Sequence, residues 1–331
     1  MRILIIFNGV LPVFYYGGTQ RVVWYLTKEL NDLGHKVTLM CYEGSKCEFA
    51  DIKFYDKDKP IVSQINQDNY DVVHFHYLPG QIEGLKIPYV ITLHGNVFKK
   101  TKLDENTIFI SKDHANNYGS QSYVYNGLDW SNYGQPELNI TKINNYFHFL
   151  GKAKWRLKNV KGAIETFNKS NVDDSFYILG GKRFKSKLPL KYSFNFNLSF
   201  KGMVGGEVKN HYLRFSKGLI FPVLWNEPFG LAVIESLYFG APVFSTPYGS
   251  LKELVIPEVG FTSSNSNELA KAINNFKDYD RKLCHEYAQD CFNSLKMAKN
   301  YLLFYDKVMN GKKVNETAPC LVNDKPIYKW T

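Results

Sequence analysis

Glu227 and Glu235 frame the segment of this chain whose residue types and order best suit chemistry. The segment reads Gly218-Leu-Ile-Phe-Pro-Val-Leu-Trp-Asn-Glu-Pro-Phe-Gly-Leu-Ala-Val-Ile-Glu-Ser-Leu-Tyr-Phe-Gly-Ala-Pro-Val-Phe-Ser-Thr. Its apolar start predicts a strand ending near Val223, followed by a loop that carries Glu227. A helix is expected next, with Pro228 in its first turn, where the missing N–H costs nothing. Leu231, Ile234, Leu237 and Tyr238 follow at helical spacing, and Gly240 and Pro242 end the helix before a strand at Val243–Ser245. In that arrangement the unpaired N–H groups of Phe229, Gly230 and Leu231 face a ligand, and Gly230 admits it close to the backbone. This is an anion site suited to a diphosphate. Glu235, about two turns into the helix, reaches a pair of ribose hydroxyls. Glu227, in the loop, is placed to hydrogen-bond a sugar.

Such a site needs strands whose carboxyl ends hold the loops. In the first half, apolar runs at Arg2–Phe7, Lys36–Cys41, Val72–Phe75, Tyr89–Leu93, Thr107–Ile110 and Ser122–Tyr125 predict strands. Between the first two, Val22, Val23, Leu26, Leu30 and Leu33 give helical spacing closed by Gly34. Continuous apolar strands alternating with helices predict a parallel sheet covered on both faces. A polar stretch, Asp129–Asn145, reads as a linker. The alternation then restarts, with strands expected at Tyr146–Leu150, Ser175–Leu179, Leu198–Lys201, Gly218–Phe221 and Pro242–Ser245. Helices are expected near Val160–Asn168, Lys209–Phe215, Phe229–Phe239, Ser266–Phe276 and Tyr279–Met309. The expected class is therefore α/β, two Rossmann-like doubly wound domains at 1–140 and 141–310, with an unassigned tail at 311–331. Ligands of such sheets bind beyond the strand carboxyl ends, and two domains in tandem suggest a cleft.

The Glu-x7-Glu segment, with Pro-Phe-Gly inside it and Phe239-Gly-Ala-Pro-Val and Gly249-Ser-Leu-Lys-Glu-Leu-Val beside it, resembles that of retaining glycosyltransferases of the GT-B fold, in particular glycosyltransferase family 4. The resemblance implies that Glu235 binds the donor ribose, Phe229, Gly230 and Leu231 the diphosphate, and Glu227 the donor sugar. Tyr16-Gly17-Gly18-Thr-Gln-Arg-Val-Val resembles the family's glycine-rich loop, where Gly17 and Gly18 let the backbone approach donor and acceptor. Ile91-Thr-Leu-His94-Gly and Asp71-Val-Val-His-Phe-His resemble strand ends of the family's first domain. His94 is the candidate for a hydrogen bond to the donor sugar, His74 reads as a packed histidine, and His76 stays undecided. Asn126-Gly-Leu-Asp129 resembles a turn before the interdomain linker, with Asn-Gly supplying positive torsions.

Phe149-Leu-Gly-Lys152-Ala-Lys-Trp-Arg156-Leu-Lys-Asn-Val-Lys161-Gly resembles the family's Gly-Arg…Lys-Gly pair, whose two basic side chains bind the donor diphosphate. Here lysine stands for arginine at 152 and the intervening loop is longer. A lysine holds phosphate as a point charge without the two-pronged geometry. Lys161 is the first candidate, then Lys152, with Arg156 as a stand-in. Val204, in Lys201-Gly-Met-Val-Gly, is expected near the base. The expected reaction moves a sugar from a nucleoside diphosphate to an acceptor hydroxyl with retention, without cofactor or metal, since no Asp-x-Asp or His/Asp cluster proposes one. Lys161, Lys152 and the helix terminus would meet the leaving group's charge.

Composition sets outer limits. The 331 residues suffice for two compact domains. No run approaches the ~18 apolar residues of a membrane span, and Met1–Pro12 reads as a first strand, so a cytoplasmic protein is expected. The five cysteines, Cys41, Cys47, Cys284, Cys291 and Cys320, form no C-x-x-C pair and suggest neither disulfides nor zinc. Net charge is +10, and its excess lies in residues 151–217, with 15 Lys/Arg against 4 Asp/Glu. That field suits solubility and attraction of a nucleotide-sugar donor, or equally docking at the inner membrane face, where lipid-linked acceptors sit. The acceptor is expected near Gly17–Arg21, His76 and Phe98–Lys102. No nucleic-acid motif accompanies the charge. A sugar-nucleotide epimerase or hydrolase of the same fold, and a non-catalytic two-lobed sugar-binding protein, remain as alternatives.

Overall fold

The computed structural model describes residues 1–13, 17–97, 100–182, 197–322 and 327–331. The chain forms two compact units, Met1–Asp129 with Phe292–Asp324, and Trp130–Cys291 with Lys325–Thr331. Tyr16, Phe98 and Lys99, named above, lie outside the described residues, as does 183–196 of the basic stretch.

The first unit is built on β1 (Arg2–Ile6), α1 (Gly18–Asp32), β2 (Lys36–Cys41), β3 (Asp51–Phe54), β4 (Val72–Phe75), β5 (Tyr89–Leu93), β6 (Thr107–Phe109) and α2 (Lys112–Asn117). Its strands are parallel in the order β3-β2-β1-β4-β5-β6. Ile3 to Ile6 have no exposed surface, as expected of a strand covered on both faces. β3 was not expected; it is an edge strand with Asp51, Lys53 and Phe54 exposed, so it carries no apolar run. Ser122–Tyr125 forms no strand of its own, only an isolated bridge from Tyr123 to Phe109.

The second unit follows with β7 (Tyr146–Leu150), α3 (Val160–Lys169), β8 (Ser175–Leu179), β9 (Leu198–Gly202), α4 (Gly206–Arg214), β10 (Leu219–Phe221), α5 (Leu231–Tyr238), β11 (Val243–Ser245), α6 (Leu251–Leu254), β12 (Gly260–Thr262), α7 (Ser266–Asn274) and α8 (Arg281–Cys291). Its sheet is again parallel, β12-β11-β10-β7-β8-β9. In both sheets the winding direction reverses once, between β1 and β4 and between β7 and β10. The loops after those strands flank the place where doubly wound sheets bind ligands.

The helix expected over Tyr279–Met309 is two helices. It breaks after α8, and Asn293 caps α9 (Ser294–Met309), its side chain accepting from the N–H of Lys296 at 2.7 Å. α9 belongs to the first unit and packs on α1 and β5. Gly127 is required at this return, since a Cβ there would lie 2.1 Å from the carbonyl oxygen of Asn293. The units also part at Asp129/Trp130 rather than at 140/141. Trp130 stacks on Tyr238 of α5 with ring centroids 4.3 Å apart, so the expected linker begins as core of the second unit. Of the tail, Asn315 donates to the carbonyls of Glu105 and Thr107 in the first unit, while Tyr328 and Thr331 bond to Leu224 and Ser264 in the second.

Buried imidazoles in both units carry a stability consequence. His148, in β7, bonds Ser216 and Ser236, and burial pushes it down to about 3; His114 is held at about 3 in the same way, and His74 well below its ordinary value. These groups are neutral when folded and take up protons on unfolding, so their contribution is full above pH ~6.5 and is lost as pH falls toward ~3. Each lowers the unfolding free energy by about 1.4 kcal/mol per pH unit in that window. Urea midpoints should therefore fall steeply between roughly pH 7 and pH 5, and an unchanged midpoint would refute the assignment.

Candidate active site

In the second unit, the loop after β10 is fixed carbonyl by carbonyl. Asn159 Nδ2 donates to the oxygen of Pro222 at 2.9 Å, Thr246 Oγ1 to that of Val223 at 2.7 Å, and the N–H of Tyr328 to that of Leu224 at 2.8 Å. The N–H of Leu224 in turn donates to Leu157. Gly249 lies against Glu227 itself: a Cβ at 249 would fall 2.3 Å from the Glu227 nitrogen, and its φ of +66° favours glycine besides. The N–H of Ser250 donates to the Glu227 carbonyl at 2.9 Å. The loop is thus a rigid mount for one side chain.

That side chain, the Glu227 carboxylate, is 7% exposed and meets the Lys158 ammonium at 2.6 Å. Trp225 Nε1 donates to the same oxygen, Oε2, at 2.8 Å. Among the described residues both hydrogen bonds go to Oε2, which leaves Oε1 for a ligand. The Lys158 ammonium lies over the rings of Phe221, Trp225 and Trp155 at 4.9, 5.3 and 5.6 Å. Aromatic faces stabilise a cation that has lost its water. The next residue, Asn159, sits in the left-handed region at φ 52° and caps α3, accepting from the N–H of Gly162. This turn sends Lys158 inward and Lys161 outward.

Lys161 is exposed on the first turn of α3 and pairs with Glu165 at 3.7 Å; Lys152 and Arg156 are exposed in the same loop, which leads out of β7. Thus the switch-point loops bring one buried lysine to Glu227 and keep the three anticipated cations at the surface. Lys158 was missed because the family likeness rests on the basic residue that precedes a glycine. Its signal was a lysine set among Trp155, Leu157 and Val160.

α5 starts at Leu231, so Pro228 lies before the helix rather than in its first turn. Gly230 is the cap, at φ +94°, a conformation that favours glycine, and Phe229 is buried behind it. Glu235, one turn on and 1% exposed, accepts from Tyr133 OH at 3.0 Å and from the Lys209 ammonium on α4. Neither Lys209 nor Tyr133 was anticipated as its partner. Val204 is half-buried in the loop between β9 and α4.

In the first unit, Gly17 caps α1 and Gly18 begins it, where a Cβ on Gly17 would meet Val13 and Gln20 at 2.7 Å. His94 directly follows β5, keeps partial exposure, and is pushed by desolvation down to about 3, so it is a neutral hydrogen-bonding group. His74 is the packed histidine expected, bonded to Tyr305 and Thr92. His76 bonds His94 at 2.9 Å. Among the described residues, no group of three or more His, Cys, Asp or Glu is placed to hold a metal, and no helix is long and apolar enough to cross a membrane.

The chain is similar to proteins of a known class. The family models for Glycosyl transferases group 1 and Glycosyltransferase Family 4 match residues 135–291 and 16–123. The chain is a glycosyltransferase with the GT-B fold, similar to family 4. It is 23% identical over 298 residues to the uncharacterized glycosyltransferase MJ1178 of Methanocaldococcus jannaschii, covering 76% of this chain and 82% of that one. The solved structure of AviGT4, a glycosyltransferase involved in avilamycin A biosynthesis, superposes with a TM-score of 0.75 at 18% identity over 94% of this chain and 98% of that one. Anabaena HepE, solved with UDP and glucose, gives 0.70 at 15% identity over 92% and 99%.

The buried pair yields a direct test. Removing one member leaves an uncompensated buried charge, which costs about 3–5 kcal/mol, whereas removing both costs much less. Lys158→Met should therefore destabilise the protein more than Lys158→Met combined with Glu227→Gln, read by urea unfolding. Equal losses would mean that the pair is not desolvated as described.

Proposed function

We propose that this glycosyltransferase takes a nucleoside-diphosphate sugar as donor and transfers the sugar to an acceptor hydroxyl with retention at the anomeric carbon. The observation that carries the reading is Glu227, held by one oxygen beside the N-terminus of α5 with its other oxygen left for a ligand. Glu227 then bonds the donor sugar, the backbone at Phe229, Gly230 and Leu231 meets the diphosphate, and Glu235 holds the ribose. Lys161, Lys152 and Arg156 supply positive charge to the diphosphate, taking the part a metal plays elsewhere. Val204 borders the base, Gly17 and Gly18 admit donor and acceptor, and His94 bonds the sugar. HepE, named in complex with UDP-glucose, supports a donor of this chemical class.

In the favoured step, the acceptor oxygen bonds to the anomeric carbon on the face from which the phosphate oxygen departs. The acceptor proton passes to that phosphate oxygen. The neutral, weakly basic His94 fits a hydrogen-bonding role rather than that of proton acceptor. A trapped covalent glycosyl-enzyme would contradict this route. The acceptor is a glycan or lipid-linked hydroxyl in surface polysaccharide or glycolipid assembly, met in the cytoplasm or at the inner membrane face.

Thermal stabilisation by UDP, GDP, ADP and their sugar conjugates tests the donor site. A ligand at 100 times its Kd should add about 2.7 kcal/mol, and Glu235→Ala and Lys161→Ala should each reduce that gain. If no nucleotide stabilises the protein, the donor reading fails. Glu227→Ala should slow transfer by about 10²-fold or more with little change in diphosphate affinity. Transfer at the wild-type rate would remove Glu227 from its role, and sugar release without acceptor would indicate a hydrolase.

A further inference from the structure

His74 and His76 alternate on β4 and its continuation, and Thr92 and His94 do so on β5 and its continuation, so all four side chains share one face of the first sheet. α9 packs on β5 and contributes Tyr301 and Tyr305 to that face. The result is a polar row running along the sheet to the strand end, where His94 stands.

The protons in this row can be placed one after another. Burial keeps His74 and His76 well below the ordinary histidine value and His94 at about 3, so each ring is neutral and carries one N–H. Thr92 Oγ1 donates to Tyr301 OH at 3.1 Å, so it accepts from His74 Nε2 at 2.7 Å. His74 Nδ1 then accepts from Tyr305 OH at 2.7 Å. Its ring, fixed at both nitrogens, lies against that of His76 with centroids 3.9 Å apart. At its Nδ1 edge His76 meets the His94 ring, with centroids 5.2 Å and planes 26° apart, and the Tyr301 ring stands edge-on at 6.4 Å. His76 is therefore clamped.

His76 Nδ1 and His94 Nε2 are 2.9 Å apart, and one of them must donate. His76 Nε2 is buried and has no hydrogen-bond partner. A proton there would be an orphaned buried donor, which proteins avoid more strictly than an unused lone pair. The proton of His76 accordingly sits on Nδ1 and points at His94 Nε2. His94 must then carry its own proton on Nδ1, which makes no hydrogen bond among the described residues.

We infer that His76 is a positioning residue that sets the tautomer of His94, presenting the Nδ1–H of His94 as a donor to an oxygen of the bound sugar. The part about sugar rests on the function proposed above; the tautomer does not. Tyr301, Tyr305 and Thr92 act one step further back, by fixing His74 against His76.

Long-range proton–nitrogen correlation spectra of the full-length protein labelled with nitrogen-15 in histidine read the tautomers without any substrate. The expected result is His76 and His94 both protonated on Nδ1, assigned by His76→Asn and His94→Gln. A His94 ring protonated on Nε2 in the wild-type protein overturns the inference, whatever the enzyme transfers. In transfer assays, His76→Leu should lower kcat by about 10–100-fold, the scale for losing an orienting partner of a functional histidine, with donor KM nearly unchanged. His76→Asn, whose amide can donate from nearly the same place as Nδ1–H, should restore most of that loss. A His76→Leu protein that keeps the His94 tautomer and the wild-type kcat refutes the role. Tautomers as expected in an enzyme that proves not to transfer sugar would sink the function and leave the wiring standing.

Discussion

A carboxylate taken almost wholly out of water must have its charge compensated, and the architecture of the second unit's candidate site follows from that demand at Glu227. The compensating group, Lys158, is itself desolvated, so it needs the faces of Phe221, Trp225 and Trp155 as well as the carboxylate. For the ammonium to reach Glu227, the chain after β7 must turn sharply before α3, and Asn159 makes the turn in a left-handed conformation that asparagine tolerates better than most residues. The same side chain caps the helix and holds the Pro222 carbonyl. One residue thus couples the α3 terminus to the Glu227 loop, and the absence of a Cβ at Gly249 lets that loop close.

The two units solve the same topological problem with opposite electrostatics. At the β7/β10 reversal the second unit gathers formal charges: Lys158 with Glu227 inside, and Lys152, Arg156 and Lys161 outside. At the β1/β4 reversal and the neighbouring end of β5, the first unit gathers neutral imidazoles and hydroxyls, kept neutral by burial. On the donor proposed above, the charges of the second unit would face a leaving diphosphate, whose developing charge is best met by preorganised cations. The two units thus differ in the kinds of groups they bury at corresponding places in the sheet.

Most strands were legible because central parallel strands are apolar on both faces; Tyr146–Leu150 and Ser175–Leu179 were read to the residue. Two edge strands, β3 and β12, were not, since an edge strand need not be apolar on both faces; the edge strands β6 and β9 were. Motif position located the Glu227 and Glu235 segment, but side-chain direction lay beyond it. Lys158 and Lys161 differ by three residues, and only the backbone turn at Asn159 decides which is buried. Tyr133 and Lys209 were invisible as partners of Glu235 because they come from 102 and 26 residues away. The crossing at Cys291/Phe292 was hidden because helical periodicity runs straight through it; the polar cap Asn293 was the available sign.

Both chain crossings carry more than connection. Immediately after Asp129, Trp130 stacks on Tyr238 and Tyr133 bonds Glu235, so the entering segment is fastened to α5 at two points. After Cys291, α9 returns to the first unit and fastens His74 through Tyr305 and, by way of Thr92, Tyr301. An ordinary linker would be polar and exposed, because a free connector gains nothing from ordering its side chains. These segments instead bury large aromatic residues, and the hydroxyls of Tyr133 and Tyr305 end on Glu235 and on His74, which packs against His76. Within each unit, therefore, the geometry of the site and the anchoring of the crossing segment are a single structural property, and a change that loosens one must loosen the other.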